Sequence, residues 1–155
     1  MSIRPITRSD MPGLKTIIGA TGLFPPDLLD GMTAPHLDGD APADIWLTTE
    51  ADGLVALAYC APERMTDNTW NLLLIATAPG RQRSGFGRAM VHHVEQLLIS
   101  RGGRLLLVET SALPEFDGTR AFYRGLGYSQ EACIRDFYSE GEDKIVFRRV
   151  LASTR

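Results

Sequence analysis

The chain has 155 residues, 44% hydrophobic and 23% charged, with 15 Gly and 9 Pro; this ordinary globular composition excludes collagen-like, low-complexity and disordered classes. A net charge of −3 argues against general nucleic-acid binding, which needs a basic surplus to neutralise phosphates. Cys60 and Cys133 stand far apart, so neither a disulfide framework nor a zinc site is indicated and a reducing compartment is expected.

The longest apolar run, Leu54 to Ala61, falls far short of the roughly 18 residues that cross a bilayer. Met1-Ser2-Ile3-Arg4-Pro5 lacks the apolar core of an export signal, so the expectation is one cytoplasmic domain over 1–155. A chain of this length can bury roughly 70% of its unfolded surface and needs no structural metal.

In chain order, Ser2 to Ile6 predicts a short strand, and Thr7-Arg8-Ser9-Asp10 supplies helix-capping chemistry ahead of apolar Leu14, Ile17 and Ile18. Pro25-Pro26-Asp27-Leu28-Leu29 starts a short second helix, with loop onward to Pro42. Ile45 to Glu50 and Leu54 to Ala61 form a hairpin around Asp52-Gly53. Thr69 to Thr77 predicts a third strand of this meander, its apolar run implying burial on both faces.

From Gly85 to Ser100 the period becomes helical, with Phe86, Met90, Val94, Leu97 and Leu98 on one side and Arg88, His92, Glu95 and Gln96 off it. Arg104 to Thr110 is a second buried strand, parallel to the one before the helix. A helix over Thr119 to Leu126 closes at Gly127, and strands Tyr128 to Phe137 and Lys144 to Leu151 end the pattern. The result is an α+β layout: a mixed, mostly antiparallel sheet of about seven strands with a parallel central pair, flanked by helices on both faces. Both cysteines read as strand core.

The segment Gln82-Arg83-Ser84-Gly85-Phe86-Gly87-Arg88 lies between a buried strand and the helix that it opens, with Arg81 beside it. Glycines let backbone N–H groups converge, the helix N-terminus adds partial positive charge, and guanidinium groups suit phosphate oxygens, so the expected ligand is a pyrophosphate. A nucleoside-triphosphate loop would need Lys-Ser/Thr where Phe86-Gly87 stands. A dinucleotide loop has Gly85-x-Gly87 and an acidic Glu109 at the next strand's end, but Met90 occupies its third glycine position.

Gln82-x-x-Gly85-x-Gly87 resembles the Q/R-x-x-G-x-G/A signature of the GNAT superfamily of acyl-CoA-dependent N-acetyltransferases. Phe122-Tyr123-Arg124-Gly125-Leu126-Gly127-Tyr128 resembles that family's F-Y-x-x-x-G-F segment, and Phe116 stands where members often carry Asn. The resemblance covers nearly the whole chain. It implies acetyl-CoA as acyl donor, bound by Gln82, Arg83, Ser84, Gly85, Phe86, Gly87 and Arg88, with Thr119 and Phe122 contributing. The pantetheine arm would lie in a splay between the parallel strands, a main-chain N–H near Ile75, Ala76 or Thr77 facing the thioester carbonyl. Members often form homodimers.

The implied reaction is direct attack of a primary amine on the thioester, with no metal. Tyr123 matches the family's tyrosine and is the candidate acid for the departing thiolate; the plainer reading is packing of an aromatic pair. Glu109, ending a buried strand, is the candidate base, or else an ion-pair partner for an arginine; Glu50 and Asp136 are weaker candidates. The acceptor, small molecule or protein, would meet Phe24 to Met32 and the acidic Asp136 to Lys144 region. His92-His93 point about 100° apart on a helix and do not form a metal pair. A non-catalytic acyl-CoA sensor with the same fold is the alternative function, and nicotinamide-dinucleotide binding a third.

Overall fold

The computed structural model describes residues 1–151; the last residues of the expected domain, 152–155, lie outside the described residues. Seven strands form one sheet, β1(Ser2–Pro5), β2(Ile45–Glu50), β3(Leu54–Pro62), β4(Thr69–Thr77), β5(Leu105–Ser111), β6(Ser129–Ser139) and β7(Glu142–Val150), in the order β1-β2-β3-β4-β5-β7-β6. β4 and β5 run parallel, whereas β1–β2, β2–β3, β5–β7 and β6–β7 are antiparallel. Four helices accompany them: α1(Met11–Thr21), α2(Leu28–Leu37), α3(Phe86–Ser100) and α4(Asp117–Gly125). The predicted order of elements and the mixed sheet are both present. Among the described residues no helix is long and apolar enough to cross a membrane.

By contacts the chain divides into two compact units, the first made of Met1–Ala61 and Leu73–Gln96, the second of Pro62–Leu72 and Leu97 onward. In the first, Asp52 and Gly53 turn the β2–β3 hairpin with φ of 54° and 94°, the left-handed pair that such turns require. Leu14, Ile17 and Ile18 of α1 pack with Ile6, Leu29, Trp46, Leu57 and Ala76 into the core. The Trp46 and Tyr59 rings stack at 4.1 Å within it. Gly22 stops α1 at φ 69°, its N–H reaching the Ile18 carbonyl at 3.1 Å.

The second helix is longer than the Pro- and Gly-rich sequence suggests. Leu29 and Thr33, one turn apart, are buried, and the Asp38 N–H closes on the Ala34 carbonyl at 2.8 Å. This packing outweighs Pro35 inside the helix, whose missing N–H removes one i→i−4 hydrogen bond.

The capping segment before α1 is a 3-10 turn, Arg8–Asp10. Asp10 accepts the Thr7 N–H at 2.7 Å and both terminal nitrogens of Arg4 at 2.8 and 2.9 Å. The Arg4 guanidinium first, and the Thr7 bonds after it, pull the Asp10 carboxyl from 3.8 down to about 2. A carboxyl lowered on folding stabilises the protein above its unfolded value, and that contribution disappears as pH falls from about 4 toward 2. Asp10→Asn keeps an acceptor for Thr7 but loses the charge that faces Arg4, so it is expected to cost about 1.5–3 kcal/mol at neutral pH, as loss of a hydrogen bond to a charged group does, and to flatten the acid-side decline of ΔG in urea titrations between pH 5 and 2.

In the second unit β5 pairs with β7 in unbroken register, Leu105 facing Val150 through to Ser111 facing Lys144. Side chains alternate between faces, so Leu107, Glu109, Ser111, Lys144 and Val146 share one face and Val108 and Phe147 the other. Gly127, at φ 92°, ends the turn after α4, and Tyr123 of α4 packs on Phe147 with ring centres 6.1 Å apart.

Three expectations are corrected. Cys60 is buried in β3, but Cys133 is exposed, because β6 is the outermost strand and loses register around Ala132 and beyond Ile134. Glu95 was expected off the apolar side of α3, yet it is only 6% exposed beside buried Val91, Val94 and Leu98. Full burial of β4 holds only through Leu72, after which Leu73 is 46% exposed.

Candidate active site

Beyond β4 the chain makes a 3-10 turn, Pro79–Arg81, and enters α3 at Phe86. Gly85 adopts φ 84° and Arg83 φ 62°, so the backbone coils tightly before the helix, and the Ala89 N–H closes the first turn on the Gly85 carbonyl at 3.0 Å. The preceding amides of α3 have no helical acceptor by construction and are available to an anion. Gln82, Arg83, Ser84, Gly85 and Arg88 are exposed, and Phe86 and Gly87 half-buried. Gln82 Nε2 reaches back to the Thr77 carbonyl at 3.4 Å.

Arg81 behaves differently from its neighbours. Its Nη1 donates to the Ala51 carbonyl at 3.0 Å and its guanidinium lies over the Phe86 ring at 5.1 Å. It braces the loop from the β2–β3 turn, leaving Arg83 and Arg88 as the exposed cations.

In α4, Thr119 is exposed and Phe122 half-buried, whereas Tyr123 is 1% exposed. Its ring meets Phe122 and Tyr128 edge-on at 5.1 and 5.6 Å. Desolvation pushes its phenol well above the ordinary value of 10, which keeps it protonated throughout the physiological range. Arg120, which no local motif marks, donates to the Ser111 and Leu113 carbonyls and to Asp117, strapping α4 to the end of β5.

Glu109 lies on the opposite face of the β5–β7 ladder from Tyr123, since it pairs with Val146 while Tyr123 packs on Phe147. Its Oε1 accepts from Asn71 Nδ2 at 3.0 Å and forms an ion pair with Lys144 Nζ at 3.2 Å. The ion-pair partner is therefore a lysine, diagonal to Glu109 in the β5–β7 register, where an arginine was expected. Lys144 Nζ also sits over the Phe137 ring at 3.7 Å, and Asn71 Nδ2 donates a second bond, to Glu63 Oε1, at 2.9 Å.

Glu63 and Asn71 carry no local signal: they join Glu109 across 46 and 38 residues only through strand pairing, the Asn71 separation being that of the bond to Glu109 and the Glu63 separation the difference 109 − 63. The weaker candidates are committed elsewhere. Glu50 pairs with Arg4, and Asp136, at φ 55°, receives the Gly141 N–H at 2.8 Å and gives its own N–H to Asp143 Oδ1 at 3.0 Å, holding the β6–β7 hairpin. Tyr138 is 45% exposed; partial burial, then the charges of Glu109 and Glu142, raise its phenol pKa. Among the described residues no three His, Cys, Asp or Glu side chains gather as a metal site.

A seven-stranded mixed sheet with a parallel β4/β5 pair, and a glycine loop with exposed arginines opening the helix that follows β4, define an acyl-CoA-dependent N-acyltransferase. The Acetyltransferase (GNAT) domain family matches residues 41–130, and the chain belongs to that family. A GNAT-family protein from Desulfovibrio desulfuricans is 34% identical, with a TM-score of 0.90 over 97% of this chain and 99% of that one. The ribosomal-protein-S18-alanine N-acetyltransferase from Escherichia coli shares the fold at 22% identity, TM-score 0.79, over 99% and 96% of the two chains. An aminoglycoside 6'-N-acetyltransferase complexed with coenzyme A does so at 18% identity, TM-score 0.72, over 100% and 99%. No curated protein matches the chain significantly.

Proposed function

We propose that this protein, as a single domain working in the cytoplasm, transfers an acetyl group from acetyl-CoA to a primary amine by direct attack on the thioester. The observation that carries the reading is the loop from Gln82 to Arg88, with left-handed Gly85 at the mouth of α3 and Arg83 and Arg88 exposed beside it. It offers the N–H groups and guanidinium charge that a pyrophosphate needs. Thr119 and Phe122 add contacts to coenzyme A.

In this reading the pantetheine arm follows the second half of β4, where burial gives way at Leu73, and a main-chain N–H among Ile75, Ala76 and Thr77 steadies the developing oxyanion. Glu109 takes the proton from the acceptor ammonium, and Tyr123 returns one to the departing thiolate. Structural relatives named for a ribosomal protein alanine and for an aminoglycoside support an amine of protein or small-molecule origin.

Thermal denaturation with acetyl-CoA, coenzyme A, ATP and NADH tests the donor. A ligand at 100 times its Kd adds about 2.7 kcal/mol, a rise of several degrees at this size. Acetyl-CoA and coenzyme A are expected to stabilise and NADH and ATP not to. Arg83→Ala and Arg88→Ala are each expected to weaken coenzyme A binding about tenfold, while Arg81→Ala lowers the unliganded Tm. Stabilisation by NADH alone refutes the reading.

A further inference from the structure

We propose that Glu63 is a second acceptor-side carboxylate: beside Glu109 it forms a paired seat for the acceptor's ammonium, with Asn71 as the residue that positions the pair. The inference rests on the amine-acceptor reading above. Asn71 spends both hydrogens of its amide nitrogen on carboxylates, one on Glu63 at 2.9 Å and one on Glu109 at 3.0 Å. That orientation leaves Oδ1 without a partner in a side chain only 2% exposed. A buried carbonyl left unpaired is costly, and turning the amide over would set that carbonyl against two carboxylates. The charges hold it as it is.

Lys144 neutralises one member of the pair through Glu109, so one negative charge remains. Glu63 and Glu109 each take Asn71 through Oε1, which leaves the second oxygen of each carboxylate to an incoming donor, whereas Asn71 Oδ1 is sealed inside the group. An ammonium supplies one positive charge and three N–H donors, which an alcohol or thiol, neutral and with a single donor, does not. Glu63 is preset for this position, its own N–H tied to the Thr69 carbonyl at 2.8 Å, and Glu109 remains 25% exposed and reachable. The seat therefore selects cationic amines over neutral nucleophiles.

The test needs no natural acceptor. The Asn71 side-chain amide resonances of the isotope-labelled full chain are followed by NMR while n-butylammonium chloride or n-butanol is added to the parent, Glu63→Gln and Glu63→Asp. A saturable shift with n-butylammonium alone, weakened about tenfold in Glu63→Gln and less in the charge-retaining Glu63→Asp, is the expected result. Equal n-butylammonium affinity in parent and Glu63→Gln, equal response to n-butanol, or no saturable shift overturns the seat. Coenzyme A added to the same samples separates the two readings. Shifts of the Gly85 and Gly87 amides with an unchanged ammonium affinity in Glu63→Gln reject the seat alone, and no coenzyme A response in the parent rejects the acetyltransferase reading and the seat with it.

Discussion

Glu109→Gln is expected to lower kcat for amine acetylation by roughly 10²–10⁴-fold, the range that loss of a general base produces, with KM for acetyl-CoA unchanged. Gln retains an oxygen for Asn71 and Lys144 but not the charge. Lys144, with a side chain 9% exposed, then holds an ammonium without its carboxylate, and roughly 1–3 kcal/mol of stability should go with it. Steady-state kinetics well below the variant's Tm separate the two effects. A kcat within a few-fold of the parent would make Glu109 a strut for Lys144 and Asn71 and nothing more.

Tyr123→Phe is expected to reduce kcat about 10²-fold through loss of the acid while leaving the fold intact, since the ring keeps its contacts with Phe122, Tyr128 and Phe147. The pH dependence carries a second signature. Burial raises the phenol pKa in the folded state, so its contribution to stability is complete below the unfolded value near 10 and is lost as pH rises above it. The parent should therefore lose stability above pH 10 more steeply than the Phe variant in urea titrations. Unchanged turnover in Tyr123→Phe would assign the residue to packing.

These residues differ in how far they could be recognised before folding. Gly85, Gly87 and the arginines around them sit within a few residues of one another, and local geometry is all that a phosphate loop requires. The strand order up to the parallel β4/β5 pair was legible for the same reason: turns such as Asp52-Gly53 and the switch of period at Phe86 are local signals. The length of α2 was not, because Pro35 argues locally against a helix that Leu29 and Thr33 sustain by burial. Arg81, one of three arginines alike in sequence, became a brace only through a carbonyl 30 residues away.

The sequence by itself determined the element order, the place of the glycine-rich loop and the motif that contains Tyr123, since each rests on periodicity, glycine conformation or a short motif. Tertiary structure alone decided that Glu109 meets Asn71 and Lys144, that Asn71 also binds Glu63, and that Tyr123 lies on the other face of the same ladder. Those facts follow from β-register, where a shift of one residue exchanges the faces of a strand, and register is set by packing along the whole sheet.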